Sequence, residues 1–168
     1  MQYKQDTYSQ FYRDLQIAQF TEKMVTDKLI QFFEKHSYKI LSCEFNNDFR
    51  YDVIFRIKSN NTGKNAITKT LKIEIKEDFM CAETGNVIVE FECRGKPSGI
   101  STTQSHLYIY VIHMPNGTLS YRMLKTASLK KMIIDKKYFR IVYGGGDGNS
   151  TNYLFKLETF LKESVNIF

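Results

Sequence analysis

Hydrophobic and polar residues recur along this chain at the spacings that helices and strands require. Residues 10–36 contain no glycine or proline and place apolar side chains three and four positions apart, which predicts a long amphipathic helix. Four strand-like runs follow, at about 39–45, 50–58, 69–76 and 87–93. In the second and third runs apolar and polar residues alternate, so each strand is expected to have one apolar and one polar face.

The second half of the chain continues with short elements. Ser101 and Gln104 have the spacing of a capping box, so a short helix is expected to open at Ser101. Thr126 is a candidate cap for a later helix. The pattern then predicts two strands, that helix, a strand and a mixed closing segment, at about 107–114, 119–124, 126–135, 138–143 and 153–164. No linker or repeat interrupts residues 1–168, so we expect a single α/β domain with a mixed central β-sheet flanked by helices.

Charge changes this picture by suggesting a partner. The chain has 24 Lys and Arg against 18 Asp and Glu, a net charge of +6. A basic domain of this size often binds a polyanion such as nucleic acid, but ribosomal, membrane-surface and other basic proteins share the property. Composition alone therefore does not decide between nucleic acid and these other partners.

Cysteines and apolar runs exclude several other classes of protein. The three cysteines are odd in number and lack CxxC spacing, which argues against a disulfide scaffold or a zinc site. The first ten residues are polar and do not resemble a signal peptide, and no run approaches the length of a membrane span. We therefore expect an intracellular protein.

Candidate chemistry begins with acids on adjacent strands. In "LKIEIKED" (71–78), charged residues alternate with apolar ones, so Glu74 and Lys76 share a face. Asp52 lies on the corresponding face of the preceding run, and a hairpin between the two strands would place it beside Glu74. The alternative is a solvated face that carries surface ion pairs. Glu22 falls within an apolar stripe of the first helix, either at the edge of its core-facing side or pointing into a polar cavity.

Together these residues have a coherent chemical use. Asp52 and Glu74 could hold a hard divalent cation, with the backbone carbonyl of Ile75 as a further ligand. Such a cation polarises a phosphate and lowers the pKa of a bound water. Lys76 could orient that water and neutralise the charge that develops on phosphorus.

These positions also resemble a known signature. Asp52 and the tripeptide Glu74-Ile75-Lys76 match the D…(D/E)-x-K pattern of the PD-(D/E)XK nuclease superfamily, and Glu22 matches an acid often found on its first helix. Tyr51 stands where the name of the motif has proline, a departure that is common in the superfamily.

The flanking sequence resembles one branch of that superfamily. Residues 76–112 are similar to the stretch after the catalytic lysine in small viral and phage endonucleases of the Holliday-junction-resolvase-like type. The shared features are a T-G-N segment, a strand with a central glutamate and an SGI-x-TT turn. Residues 140–157 resemble the C-terminal part of such proteins, so the resemblance covers most of residues 18–157.

The resemblance implies a restriction-endonuclease-like core and an endonuclease, dependent on Mg²⁺ or Mn²⁺, that hydrolyses phosphodiester bonds of branched DNA and leaves a 5′-phosphate. It also implies a role in viral or mobile-element recombination. Because a four-way junction needs two symmetric cuts, a homodimer is expected. The alternatives are a catalytically silent nuclease fold that binds DNA and a basic structural or assembly protein.

Further residues are expected to surround the site. Gln104 either caps the helix at Ser101 or supports the site. Glu90 either lies beside the metal, if its strand neighbours residues 69–76, or forms an ion pair on a solvated face, for example with Lys72. Contacts to DNA phosphates, with a plain surface turn as the alternative, are expected from Arg94, Lys96, Ser101, Thr102 and Thr103.

Overall fold

The computed structural model describes residues 3–46, 50–60, 67–144 and 149–168, and side chains from residue 12 onward. The cluster SNNTGKNA at 59–66 and the glycines of 144–148 both have compositions that predict turns, and most of these two segments lies outside the described residues. Within the described part, no helix is both long and apolar enough to cross a membrane.

Helices and strands follow the predicted order closely. The helices are α1 (Tyr3–Lys35), α2 (Cys81–Thr84), α3 (Thr126–Ile134) and α4 (Leu157–Glu163). The strands are β1 (Tyr38–Phe45), β2 (Val53–Ser59), β3 (Thr68–Asp78), β4 (Asn86–Cys93), β5 (Lys96–Pro97), β6 (Leu107–His113), β7 (Leu119–Lys125), β8 (Arg140–Tyr143), β9 (Ser150–Lys156) and β10 (Val165–Asn166). The long first helix and the strands that follow it are therefore confirmed.

In the part of the chain that the structure describes, the strands form two sheets. The central sheet has six strands in the order β1-β2-β3-β6-β7-β10, and it is mixed because β3 runs parallel to β6 while the other neighbours are antiparallel. The second sheet has four antiparallel strands in the order β5-β4-β9-β8. The predicted α/β fold with a mixed central sheet is confirmed. The strand near 87–93 does not lie beside β3, because β4 belongs to the second sheet.

Each face of the central sheet covers its own hydrophobic cluster. On one face, Val25 and Leu29 of α1 pack against alternate residues of the sheet, including Ile73 and Ile75. On the other face, Tyr108 and its neighbours pack against the second sheet, α3 and α4. The polar side of β3 therefore points toward the second sheet, and its apolar side toward α1.

Two predicted caps are not formed. The segment after Ser98 is a single 3-10 turn, Gly99–Ser101, rather than a helix that opens at Ser101. The Gln104 side chain accepts a hydrogen bond from Lys72 Nζ at 3.3 Å instead of returning to Ser101. The residue that precedes α3 is Lys125, so Thr126 is the first helical residue and not its cap, and its hydroxyl contacts Ser105 Oγ at 3.0 Å. In both places a longer-range contact replaces the local one.

The predicted hairpin of β2 and β3 creates an open strand edge. Val53 pairs with Ile73, and the ladder between the two strands ends there. β3 nevertheless continues to Asp78, and among the described strands this last part pairs only with β6, on its other side. Along this last part, the edge of β3 that faced β2 is free for other groups, and the candidate site lies there.

Candidate active site at the open edge of β3

Asp52 directly precedes β2, at the end of the β2–β3 ladder. Its backbone N–H donates to the Ile73 carbonyl at 3.0 Å, which continues the ladder by one bond. Its carboxylate then accepts a hydrogen bond from the Ile75 N–H at 2.6 Å. Arg50, two positions before Asp52, is held in place because its carbonyl accepts hydrogen bonds from the Gln104 N–H at 2.9 Å and the Thr103 hydroxyl at 3.1 Å. Asp52 is thus held against the strand that carries the other candidate residues.

Glu74 is a buried carboxylate with only one of its oxygens paired. Its side chain is 5% exposed, and Oε1 lies 2.7 Å from Lys76 Nζ. Oε2 is buried and has no hydrogen-bond partner among the described residues. Because an unpaired buried carboxylate oxygen is costly, this atom is a ready acceptor for a cation or a donor that enters the site.

The Ile75 backbone contributes to the same place. In an extended strand the N–H and C=O of one residue point to the same edge. Since the Ile75 N–H reaches Asp52, the Ile75 carbonyl faces the gap beyond the end of β2. Two carboxylates and one carbonyl therefore converge at this edge.

Glu22 approaches the group from α1. It is half-buried and lines a cleft together with Lys76, so it lies at the edge of the helix–sheet interface and faces the site. Burial raises the pKa of Glu22, the charge of Lys76 lowers it, and the charge of Glu74 raises it further. The pKa of Glu22 therefore stands above the ordinary value for a glutamate. Glu22 lies at the edge of the core-facing side of α1 and also lines a cleft, so each of the two positions that the sequence left open describes it in part.

The charges of the site are mutually dependent. Burial raises the pKa of Asp52 and of Glu74 above ordinary values, and repulsion between the acids adds to this, although Lys76 acts against it. Desolvation lowers the pKa of Lys76, but the negative charges of Glu74 and Asp52 outweigh it and keep the pKa above its usual value. Lys76 is thus a firmly protonated ammonium among acids that compete for positive charge.

This donor set suits a hard divalent cation. The Asp52, Glu74 and Ile75 groups that could bind a cation are all oxygens, the ligand type that Mg²⁺ and Mn²⁺ prefer, and one Glu74 oxygen has no hydrogen-bond partner among the described residues. In the described part of the chain, no three Asp, Glu, His or Cys side chains form a complete metal cluster. The residues fit a site made of the Asp52 and Glu74 carboxylates and the Ile75 carbonyl, with Glu22 nearby.

Two cavities meet at Lys76. A cleft of about 490 Å³ lies between α1 and the end of β3, and Glu22, Lys76 and Phe79 line it. A smaller cavity of about 260 Å³ lies between the two sheets, and Lys76, Glu90 and Tyr108 are among the residues that line it. Lys76 is therefore reached from both cavities, and Glu22 from the larger one.

Glu90 reaches this region from the second sheet. Its carboxylate accepts a hydrogen bond from the Ser98 hydroxyl at 2.7 Å, and its charge contributes to the raised pKa of Glu74. Glu90 thus lies beside the site although β4 does not neighbour β3. Gln104, by contrast, is exposed and contacts Lys72 rather than the acids.

The residues expected to contact DNA divide into two groups. Arg94, Lys96 and Ser101 are exposed at the surface. The hydroxyls of Thr102 and Thr103 donate to backbone carbonyls, at 3.5 Å and 3.1 Å respectively, and hold their own segment in place. The structure therefore offers the first three to a phosphate more directly than the two threonines.

The sequence interpretation missed several polar residues near the site. Tyr108 pairs with Glu74 across β3 and β6, and its buried hydroxyl lies near Thr103 but makes no hydrogen bond of ordinary geometry within the part of the chain that is described. Glu77 bridges the Thr21 hydroxyl on α1 and His113 Nε2 on β6, the latter at 2.8 Å. A tyrosine in an otherwise apolar strand was the available signal, because a buried tyrosine hydroxyl normally needs a partner.

Comparison with known proteins identifies no relative of this chain. The chain matches no protein-family model, no curated protein and no solved structure. The arrangement of Asp52, Glu74, Ile75 and Lys76 is therefore the main indication of a function. Chemically, this arrangement can concentrate positive charge, from a cation and an ammonium, on one anionic group of a substrate.

Proposed function

We propose that this protein is a metal-dependent DNA endonuclease of the PD-(D/E)XK type, with a restriction-endonuclease-like core. The observation that carries the proposal is the convergence of Asp52, Glu74, Lys76 and the Ile75 carbonyl at the open edge of β3. Ion pairs on a solvated sheet face would leave these groups exposed, but Glu74 is buried with one oxygen unpaired among the described residues. That arrangement is costly for a structural role and useful for binding a cation.

Each residue has a distinct role in this reaction. Asp52, Glu74 and the Ile75 carbonyl hold Mg²⁺ or Mn²⁺, and Glu22 supports the cation directly or through water. When bound, the cation supplies Lewis-acid polarisation of the phosphodiester and a more acidic water. Lys76, whose pKa is raised, keeps its proton and acts as a hydrogen-bond donor and a positive charge beside the attacked phosphate.

DNA is the proposed substrate because a chain of net charge +6 attracts a polyanion and because the sequence resembles junction-resolving endonucleases. Arg94, Lys96 and Ser101 are exposed and are the proposed phosphate contacts, together with Thr102 and Thr103. Branched DNA is the preferred form, in recombination or replication of a virus or mobile element. The described residues of each chain hold one such group of acids, so a C2 homodimer would supply the second cut of a junction.

A cleavage assay with matched variants tests the catalytic assignment. Asp52→Asn, Glu74→Gln and Lys76→Ala should each lower cleavage by about 10²–10³-fold, because each removes a charge from the cation or the transition state. Glu158→Gln on the exposed face of α4 is the control and should cleave normally. Activity should require Mg²⁺ or Mn²⁺ and stop in EDTA. Full activity of the Glu74 variant, or cleavage in EDTA, contradicts the proposal.

The substrate and the oligomeric state need separate measurements. Labelled four-way junctions, flaps, single strands and linear duplexes of equal length serve as substrates. The branched forms should be cleaved in preference to the linear duplex. Light scattering should give the mass of a dimer. DNA binding without any cleavage in the presence of Mn²⁺ would favour a silent nuclease fold, and the absence of both would favour a structural protein.

A further inference from the structure

Phe79 is an aromatic residue whose exposure the proposed catalytic groups do not explain. It follows β3 directly, lines the larger cleft together with Glu22 and Lys76, and is 48% exposed. One side of its ring lies on the His113 imidazole, with ring centroids 4.4 Å apart and planes 36° apart. The rest of the ring is open to the cleft.

The ring is held in this position by a network of buried polar contacts. The carboxylate of Asp78, itself buried, accepts hydrogen bonds from the backbone N–H groups of Cys81 and Ile88, both at 3.0 Å. This fixes the turn into α2 that carries Phe79. On the other side, His113 is bonded to Glu77, which also accepts a hydrogen bond from α1. Phe79 is therefore a supported surface rather than a loose side chain.

The chemistry of this wall favours a base over a phosphate. Beside Phe79, the cleft is lined by Ile17 and Met80, which are 40% and 52% exposed. Apolar side chains give a phosphate no donor, but an aromatic face binds any nucleobase by stacking and needs no charge to do so. The cleft, at about 490 Å³, has the size of a small-molecule site. A nucleotide fits such a space, whereas a partner helix needs a longer groove.

We propose that the open face of Phe79 is a stacking platform for an unpaired nucleobase next to the scissile phosphodiester. The inference rests on the proposed nuclease function and specifies its substrate class. Phe79 lies three residues beyond Lys76, about 10 Å along an extended chain, so a base adjacent to the attacked phosphate is within reach. A base inside a duplex is stacked on its neighbours and must first be extruded. The platform therefore selects DNA that is unpaired at the cut, as in flaps, junction centres and single strands.

A substitution series at Phe79 tests the platform. Phe79→Ala removes the ring, Phe79→Leu keeps apolar bulk without an aromatic face, and Phe79→Trp enlarges the face. Phe139→Ala is the matched control, because Phe139 is 45% exposed and its ring lies under Lys156 Nζ, away from the residues that line the cleft. Each protein is assayed on a duplex and on a single-stranded or flap substrate of the same sequence.

The expected result is a change in the ratio of the two rates. Phe79→Ala and Phe79→Leu should lower cleavage of the unpaired substrate about tenfold, the size of one base stack, and leave duplex cleavage within about twofold. Phe79→Trp should retain the preference. An equal loss on both substrates, or an unchanged ratio, overturns the inference. A change of molecular mass in light scattering, together with an unchanged ratio, also overturns it. That outcome would show that the apolar wall is an interface between copies of the chain.

A binding measurement separates failure of this inference from failure of the proposed function. A single-stranded oligonucleotide that carries 2-aminopurine loses fluorescence when the base stacks on an aromatic ring. Titration in EDTA should show this quenching with the wild type and with Phe139→Ala. The apparent affinity for the oligonucleotide, obtained from the quenching, should be about tenfold weaker with Phe79→Leu. Quenching by a wild type that cleaves no DNA retains the platform and rejects the nuclease. Cleavage without any quenching rejects the platform alone.

Discussion

Replacing Glu74 with glutamine should abolish stabilisation of the folded protein by Mg²⁺ while leaving the metal-free protein at least as stable as the wild type. In the metal-free protein, Glu74 is a buried carboxylate whose pKa is raised by burial and by repulsion from Asp52 and Glu90, against the attraction of Lys76. Its Oε2 has no hydrogen-bond partner within the described residues. Neutralising this group removes an unfavourable charge, and the ion pair that it breaks involves a lysine whose side chain is 45% exposed and can turn to solvent.

The size of the metal effect follows from linkage. A cation that binds only the folded state at ten times its dissociation constant raises the free energy of unfolding by about 1.4 kcal/mol. For a chain of 168 residues, each kcal/mol shifts the melting temperature by about 2–4 °C. The wild type should therefore gain about 3–6 °C with millimolar Mg²⁺, and Glu74→Gln should gain about 1 °C or less.

Thermal unfolding followed by circular dichroism, in EDTA and in Mg²⁺, measures both quantities without any DNA. The order of stability should reverse between the two conditions, with the variant equal or higher in EDTA and the wild type higher in Mg²⁺. Glu158→Gln on α4 should respond to Mg²⁺ as the wild type does. If Glu74→Gln is less stable in both conditions and keeps the full Mg²⁺ shift, Glu74 is a structural ion-pair partner and the reasoning fails.

Three further predictions concern pH and stability. Because burial raises the pKa values of Asp52 and Glu74 on folding, the metal-free protein should gain stability as pH falls through these raised values and lose it as pH rises through them, and Asp52→Asn should flatten this profile in denaturant titrations. Gly99→Ala should cost about 3 kcal/mol or more of unfolding free energy, because its Cβ would lie 2.4 Å from a carbonyl oxygen of β4, whereas Gly95→Ala, also at positive φ but with nothing within 4 Å, should cost about 1 kcal/mol; equal costs would exclude the clash. Thr26→Val should raise the unfolding free energy by about 1 kcal/mol, because its buried hydroxyl has no partner among the described residues, and a loss would show that the hydroxyl is satisfied.

Local pattern was enough to predict most elements of the fold. Alternation in 50–58 and 69–76 gave both strands and their shared polar face, and the hairpin register with Val53 opposite Ile73 agrees with that prediction. Alternation along a strand depends only on which side chains are buried, so it can be read from sequence. It does not say which sheet a strand joins, and β4 accordingly formed a second sheet with β9.

The errors occurred where distant segments compete for local groups. The spacing of Ser101 and Gln104 suggested a cap, but the Gln104 N–H bonds to the Arg50 carbonyl, and its side chain contacts Lys72. These contacts join residues more than thirty positions apart, and no local pattern encodes them. The convergence of Asp52 and Glu74 could be predicted because one hairpin produces it, whereas the neighbourhood of Tyr108 could not.

The candidate site combines acids that belong to one hairpin with surrounding surfaces that come from other elements. The hydrogen bond from the Ile75 N–H to Asp52 fixes one acid to the strand that carries Glu74 and Lys76, so the group expected to hold the cation belongs to one hairpin. The surfaces around it come from α1, α2 and the second sheet, which are joined through side chains such as Glu77. Under the proposed nuclease function, changes in those surrounding elements would alter which DNA is accepted without moving the acids. The hairpin would then set the chemistry, and the elements packed around its open edge would set the choice of substrate.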